Sequence, residues 1–326
     1  MLIVSPAAPG ANNGNERTAA RWRTMLADAF DARIVSSQAD LSRERADLLV
    51  ALHARKSAAA IAAWAARKPR KPIAVVLTGT DLYQDIAGDA QARHSLDVAD
   101  RLVVLQELGV QALPGQQRRK AVVIVQSATT MSPALKSDAR LDAVMVGHLR
   151  AVKAPRVLFE AARLLQADEG ITITHIGDAH AEPALGDEAR ELARACPHYR
   201  WLGALAHAPT RERIRDAHVL VHASMLEGGA HVVIEAICSG TPVIASRIPG
   251  NVGLLGDDYG GYFEPGDAPG LVRLLRECRQ SQARPDGLLE TLALQCEDRV
   301  PLFHPVREAQ ALHALVEQLL HVAPRA

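Results

Sequence analysis

Short runs of aliphatic and β-branched residues recur along the chain with segments of helix length between them. LIVS at 2, DLLVALH at 47, IAVVLTG at 73, RLVVL at 101 and AVVIV at 121 form a first series. DAVMVG, ITITHIG, YRWLG, HVLVHAS and TPVIAS form a second, which begins after the polar, proline-containing stretch TTMSPALKSDAR at 129–140. Runs that are apolar on both faces and alternate with helices predict parallel strands covered on both sides. APRVLFEAARLLQ and DEARELARAC carry apolar residues at helical spacing, and FHPVREAQALHALVEQLL, with a proline near its start, predicts a closing amphipathic helix. At 326 residues the chain exceeds one ordinary core. The expected fold class is α/β, with two Rossmann-like, doubly wound domains at 1–138 and 139–304 facing a central cleft, and a closing helix at 305–326 packed back on the first.

Lys plus Arg and Asp plus Glu balance at 37 each, so no net field draws the chain to nucleic acid or to an anionic membrane surface. The expected partner is a small molecule. No apolar run approaches the roughly 20 residues that cross a bilayer. MLIVSPAAPG lacks the basic start and long apolar stretch of a secretory signal, so a cytoplasmic location is expected. Cys196, Cys238, Cys278 and Cys296 lie far apart without a C-x-x-C pair and read as reduced thiols. His218 and His222, four apart on a strand, lack the shared face they would have on a helix. The chain also contains no D-x-D pair, so neither a metal nor another cofactor is expected.

The stretch EGGAHVVIEAICSG at 227–240 sets two carboxylates eight positions apart in an apolar segment. It follows the strand HVLVHAS and precedes TPVIAS, so its helix begins near Gly229 or Ala230 at the carboxyl edge of a parallel sheet, where ligands bind. Free amides at a helix start attract phosphate, and Gly228, Gly229 and Ala230 allow close approach. Glu235 lies one turn after His231 on the same face and can accept hydrogen bonds from two neighbouring ribose hydroxyls. A structural carboxylate bound to backbone or arginine is the alternative. Glu227, ahead of the helix, points into the expected cleft. GHLRAVK, after the first strand of this domain, brings Arg150 and Lys153 within reach of a diphosphate, and fixed cations stabilise such a leaving group without a metal. His231, at a phosphate-facing helix start, joins them as a catalytic candidate.

The ordered motifs G-x-L-x-x-x-K starting at Gly147, G-D at Gly177 and Asp178, and E-G-x-x-x-x-x-x-E-A-x-x-x-G-x-P-V-I from Glu227 resemble the nucleotide-sugar half of GT-B glycosyltransferases, especially the family-4 group, over 140–265. That resemblance implies that Arg150 and Lys153 grip the diphosphate, Glu235 the ribose and Glu227 the donor sugar. It places the base against the loop WLGALAH, which includes Leu205. SPAAPGANNGNERTAARW, DLLVALHARKSAAAI, LTGTDLY, RLVVLQ and VIVQSAT, taken with GHLRAVK, resemble the selenosugar synthases of selenoneine biosynthesis along nearly the full chain. This implies transfer of a glycosyl group from a UDP-sugar, UDP-N-acetylglucosamine in known members, to selenophosphate, forming a C–Se bond and releasing UDP and phosphate. Selenophosphate synthetase and the selenoneine-forming enzyme are then the expected pathway partners. A hydroxyl or thiol acceptor on the same fold, and a nucleotide-sugar-binding protein without catalysis, are the alternatives.

Many family-4 enzymes carry a histidine before the G-T-D that follows the fourth strand, and this chain carries Thr78. An alcohol acceptor benefits from a base, whereas a low-pKa chalcogen anion is already ionised, so the substitution favours selenium or sulfur. His53 in LHARKS is the imidazole that would replace it, or an ordinary strand-end histidine. An anionic acceptor needs its own cradle, for which the candidates are Asn12, Asn13, Gly14, Asn15, Arg17, Arg55 and Lys56, with Thr78, Gly79 and Thr80 adding hydroxyl and amide donors. The charges also read as solvated helix starts and Asn-Asn-Gly-Asn as a turn. Asp81 is expected to cap the turn that follows it.

Overall fold

The computed structural model describes residues 1–6, 13–36, 41 and 44–321. The chain divides into two compact units, Met1–Ser127 with His304–Ala326, and Ala128–Phe303. Both are built on a parallel sheet of six strands.

The first unit holds β1 (Leu2–Val4), β2 (Arg33–Val35), β3 (Leu49–Leu52), β4 (Ile73–Leu77), β5 (Arg101–Val104) and β6 (Ala121–Val123), in the order β2-β1-β3-β4-β5-β6. Side chains alternate faces along each strand, and the two faces build separate cores. Ile73, Val75 and Leu77 pack with Ile61 and Trp64, whereas Ala74 and Val76 pack with Trp22 and with Leu312, Leu315, Val316 and Leu319 of the closing helix Pro305–His321. That helix is pinned by Glu308, which is 1% exposed. Its carboxylate accepts from Trp22 Nε1 at 2.7 Å and from the Ser127 backbone N–H and hydroxyl at 2.8 and 2.6 Å, and it pairs with Arg21 at 3.1 Å. Four donors offset the desolvation of one buried charge.

The second unit holds β7 (Leu141–Val146), β8 (Ile171–Ile176), β9 (Tyr199–Trp201), β10 (Val219–His222), β11 (Val243–Ser246) and β12 (Tyr262–Phe263), in the order β12-β11-β10-β7-β8-β9. From β7 the chain winds outward to β9, returns to place β10 beside β7, and winds outward on the other side. The loops leaving β7 and β10 therefore diverge, and a crevice opens at the carboxyl ends of these two strands. The apolar pattern marks neither RIV at 33 nor YF at 262, because strands of three and two residues are too short to display a period.

The stretch 129–140 belongs to the second unit. Thr129 O accepts from Arg211 Nη2 at 2.9 Å, and the Met131 amide donates to Cys238 O at 2.8 Å. The unit therefore begins at Ala128, ahead of the boundary expected at 138. Among the described residues no helix is long and apolar enough to cross a membrane.

Candidate functional site

Three loops of the second unit meet at the crevice. After β7, Gly147 leads into a short turn at Ala151–Lys153, Ala154 takes a left-handed backbone at φ 48°, and the helix Pro155–Leu164 starts on proline. After β8, Gly177 adopts φ 153°, and a β-carbon there would stand 2.0 Å from Gly147 O. Only glycine permits this approach of two backbones. Asp178 then fixes the β7 loop, with Oδ2 at 2.8 Å from His148 Nδ1 and its carbonyl accepting from the Leu149 amide at 2.7 Å.

The third loop, after β10, brings Glu227 onto Lys153. The Lys153 ammonium donates to Glu227 Oε1, and His222 Nε2 lies 3.5 Å from the same oxygen. The Met225 amide donates to Val152 O at 2.9 Å, joining this loop to the lysine turn. Burial opposes the charge on Glu227, yet Lys153 and His222 hold its carboxyl well below the usual carboxylate range. A β-carbon at Gly250 would stand 2.2 Å from Glu227 O, so the start of the helix Pro249–Leu255 fixes the backbone behind the glutamate. Lys153 and Glu227 neutralise each other, while the Arg150 guanidinium has no partner among the described residues.

Gly228 and Ala230 are buried and Gly229 is partly exposed ahead of the helix His231–Ile237, for which Ala230 is the N-cap residue. Glu235, 2% exposed, takes two imidazoles on one oxygen: His207 Nε2 at 2.5 Å and His231 Nδ1 at 3.3 Å, both to Oε1. Oε2 has no partner among the described residues. Burial again opposes ionisation, and the two histidines hold the carboxyl below its usual range. The one-turn pairing of His231 with Glu235 is as the sequence predicts. The sequence weighs His222 only as a metal ligand and does not mark His207 or His222 as glutamate partners, because each meets its glutamate through the fold; the one local signal for His207 is its place at the end of WLGALAH. Leu205 in that loop is partly exposed.

In the first unit several members of the proposed cradle are engaged by neighbouring side chains or backbone. Asn12 lies outside the described residues. Asn13 caps the helix Gly14–Leu26, its side-chain oxygen accepting from the Asn15 and Glu16 amides at 3.1 and 3.2 Å; Arg17 sits on the first turn. Arg55 pairs with Asp85 at 2.9 Å, and Lys56 is exposed beside it. Thr78 and Gly79 do not offer amide donors as expected, since both amides donate to Asp81 Oδ1 at 2.9 Å. Asp81 does not cap the turn that follows it: it is the first residue of the turn Asp81–Asp85, whose N-cap residue Thr80 makes no side-chain cap bond, and its other oxygen accepts from the Ala54 amide at 2.9 Å, tying the loop after β4 to the loop after β3. Among the described residues the Thr80 amide and the hydroxyls of Thr78 and Thr80 remain, and Thr80 Oγ1 lies 3.1 Å from His53 Nε2.

The family model Glycosyl transferases group 1 matches residues 128–287. Glycosyltransferase 1 domain-containing protein 1 of Xenopus tropicalis is 22% identical over 280 residues, spanning 78% of this chain and 81% of its own. Anabaena Alr3699/HepE, solved in complex with UDP, superposes with a TM-score of 0.74 at 15% identity, over 97% of this chain and 99% of its own. Sucrose-phosphate synthase from Thermosynechococcus elongatus superposes with a TM-score of 0.75 at 17% identity, over 99% of both chains. The chain thus has the GT-B fold, and its residues 128–287 are similar to the group 1 glycosyltransferases.

Proposed function

We propose that the protein transfers a glycosyl group, N-acetylglucosamine in the first instance, from a UDP-sugar to selenophosphate. The observation that carries the donor half is the convergence of Arg150, Lys153 and Glu227 where the strand order of the second sheet reverses. HepE structures of similar fold are complexes with UDP and with UDP-glucose, which supports a UDP-sugar here. Arg150, which has no partner among the described residues, meets the diphosphate first, and Lys153 moves from Glu227 to the same phosphates, leaving the carboxylate for the donor sugar. Glu235 receives the ribose on its open Oε2, and the amides at Gly228, Gly229 and Ala230, with His231, border the phosphates. Gly147, Gly177, Asp178 and Leu205 shape the loops around the nucleotide.

The acceptor assignment rests on the motifs of the first half and on Thr78. A selenium lone pair attacks the anomeric carbon as the bond from that carbon to the diphosphate oxygen breaks, and the electron pair leaves with UDP. Water then cleaves the P–Se bond, giving inorganic phosphate and a selenol sugar. Selenophosphate is ionised at neutral pH, so the attack needs no base, and the basic side chains stabilise the leaving group in place of a metal.

The test is UDP release from UDP-N-acetylglucosamine with and without selenophosphate, with mass spectrometry of the product. Acceptor-dependent UDP and a selenium-containing sugar are expected. Equal rates in both arms overturn the assignment, and comparable turnover with an alcohol or a thiol moves it to a conventional acceptor.

A further inference from the structure

His53 follows β3 with a left-handed backbone at φ 71° and is 2% exposed. Such a backbone is uncommon outside glycine, and it turns the ring towards the loop after β4. The Lys56 amide donates to His53 Nδ1 at 3.4 Å, which makes that nitrogen an acceptor. The ring proton of the neutral imidazole therefore sits on Nε2, and Nε2 donates to Thr80 Oγ1 at 3.1 Å. Thr80 Oγ1 retains its own hydrogen, for which no described residue supplies an acceptor. Thr80 is partly exposed at the carboxyl end of β4, beside β3.

The charges around the ring agree with a neutral donor. Asp81 Oδ2 lies 3.7 Å from Nδ1, but the three amides of Ala54, Thr78 and Gly79 hold that carboxylate. Asp85 lies 4.0 Å from Nε2 and is paired with Arg55 at 2.9 Å. Burial, the largest influence, lowers the pKa of the imidazole, Asp81 and Asp85 raise it, and Lys56 and Arg55 act with burial, so the net shift is downward. A ring with an acceptor engaged at Nδ1 and a proton on Nε2 has no free lone pair to take the proton of an alcohol.

We propose that His53 is a positioning residue, and that through it Thr80 presents its hydroxyl hydrogen to an oxygen of an acceptor that arrives already ionised, a phosphate-like anion bearing selenium or sulfur. The inference rests on the reaction proposed above and adds two assignments: the group that recognises the acceptor's oxygens is Thr80, and His53 removes no proton. The nucleophile is the chalcogen lone pair, so no proton moves at His53 during the attack.

Two measurements separate this assignment from the reaction reading. Calorimetric titration with inorganic thiophosphate reads the Thr80 contact without turnover: the wild type binds, Thr80→Ser binds alike, and Thr80→Val binds about tenfold more weakly at an unchanged Tm, the loss expected for one hydrogen bond to a charged group. Acceptor-dependent UDP release then reads His53. His53→Gln, whose amide still donates to Thr80, should keep its rate within about threefold of the wild type, against the hundredfold or greater loss that removal of a general base brings. It should also leave the shape of the pH profile unchanged, and donor KM should not move in any variant. Thiophosphate that fails to bind, or binds Thr80→Val and wild type alike, overturns the proposal, as does a hundredfold loss in His53→Gln. A wild type that binds thiophosphate but releases no acceptor-dependent UDP sinks the reaction reading and leaves the anion site standing.

Discussion

Lys153 and Glu227, 74 positions apart in the sequence, form an ion pair at the carboxyl ends of β7 and β10, where the second sheet reverses its strand order. Without ligand the pair neutralises both groups. On the proposed donor reading, a diphosphate would compete with the carboxylate for the ammonium, so binding would exchange one anion for another and free Glu227. Lys153→Ala should therefore lower kcat/KM for the UDP-sugar by about 2 to 4 kcal/mol of transition-state stabilisation. It should also lower Tm, because a buried carboxylate loses its cation. The double variant Lys153→Met with Glu227→Gln should regain most of the stability and none of the activity, as read by calorimetry and UDP release.

Arg150 has no partner among the described residues, so Arg150→Ala should reduce turnover without reducing Tm. A comparable fall in Tm would place Arg150 in the scaffold instead of on the diphosphate.

Glu235 is held by two histidines on one oxygen, and His207 is the nearer. Glu235→Ala should raise KM for the UDP-sugar with a smaller effect on kcat. His207→Ala should do the same to a lesser degree, because the carboxylate loses its orientation and keeps its charge. Steady-state kinetics at varied donor concentration check both.

The pH dependence of stability follows from the two buried glutamates. Both carboxyls are depressed below the ordinary value of 4.5 by their partners, so their contribution is fully present above that pH and is lost as pH falls below it. Thermal melts from about pH 7 down to about pH 3 should show Tm falling on the acid side, and Glu235→Gln should flatten that slope.

Glu308 binds the closing helix through Trp22, Arg21 and Ser127. Glu308→Ala leaves the partly buried Arg21 guanidinium and the buried Trp22 indole N–H without this acceptor, at a cost of about 3 kcal/mol in unfolding free energy. Denaturant titration measures it. An unfolding free energy equal to that of the wild type would show that the helix is held by the apolar packing of Leu312, Leu315, Val316 and Leu319.

The alternation of buried strands with amphipathic helices was legible because it is written in residues a few positions apart. The runs at 2, 47, 73 and 101 all fall on strands, and EGGAHVVIEAICSG opens its helix at His231. The motif order also singled out Arg150, Lys153, Glu227 and Glu235 before any distance was known. The short strands RIV and YF were not legible, since only pairing with β1 and β11 makes them strands.

By itself, then, the sequence determined the α/β class, the repeat of two parallel sheets, and which residue types gather after the strands, because hydrophobic period and turn chemistry are local properties of the chain. Only the tertiary structure decided the pairings. It set His207 on Glu235, His222 on Glu227, Lys153 against the carboxylate and not free, and the amides of Thr78 and Gly79 on Asp81. A buried charge takes the donors that strand order and backbone approach bring within about 3 Å, and that proximity is a property of the folded sheet edge and not of sequence spacing.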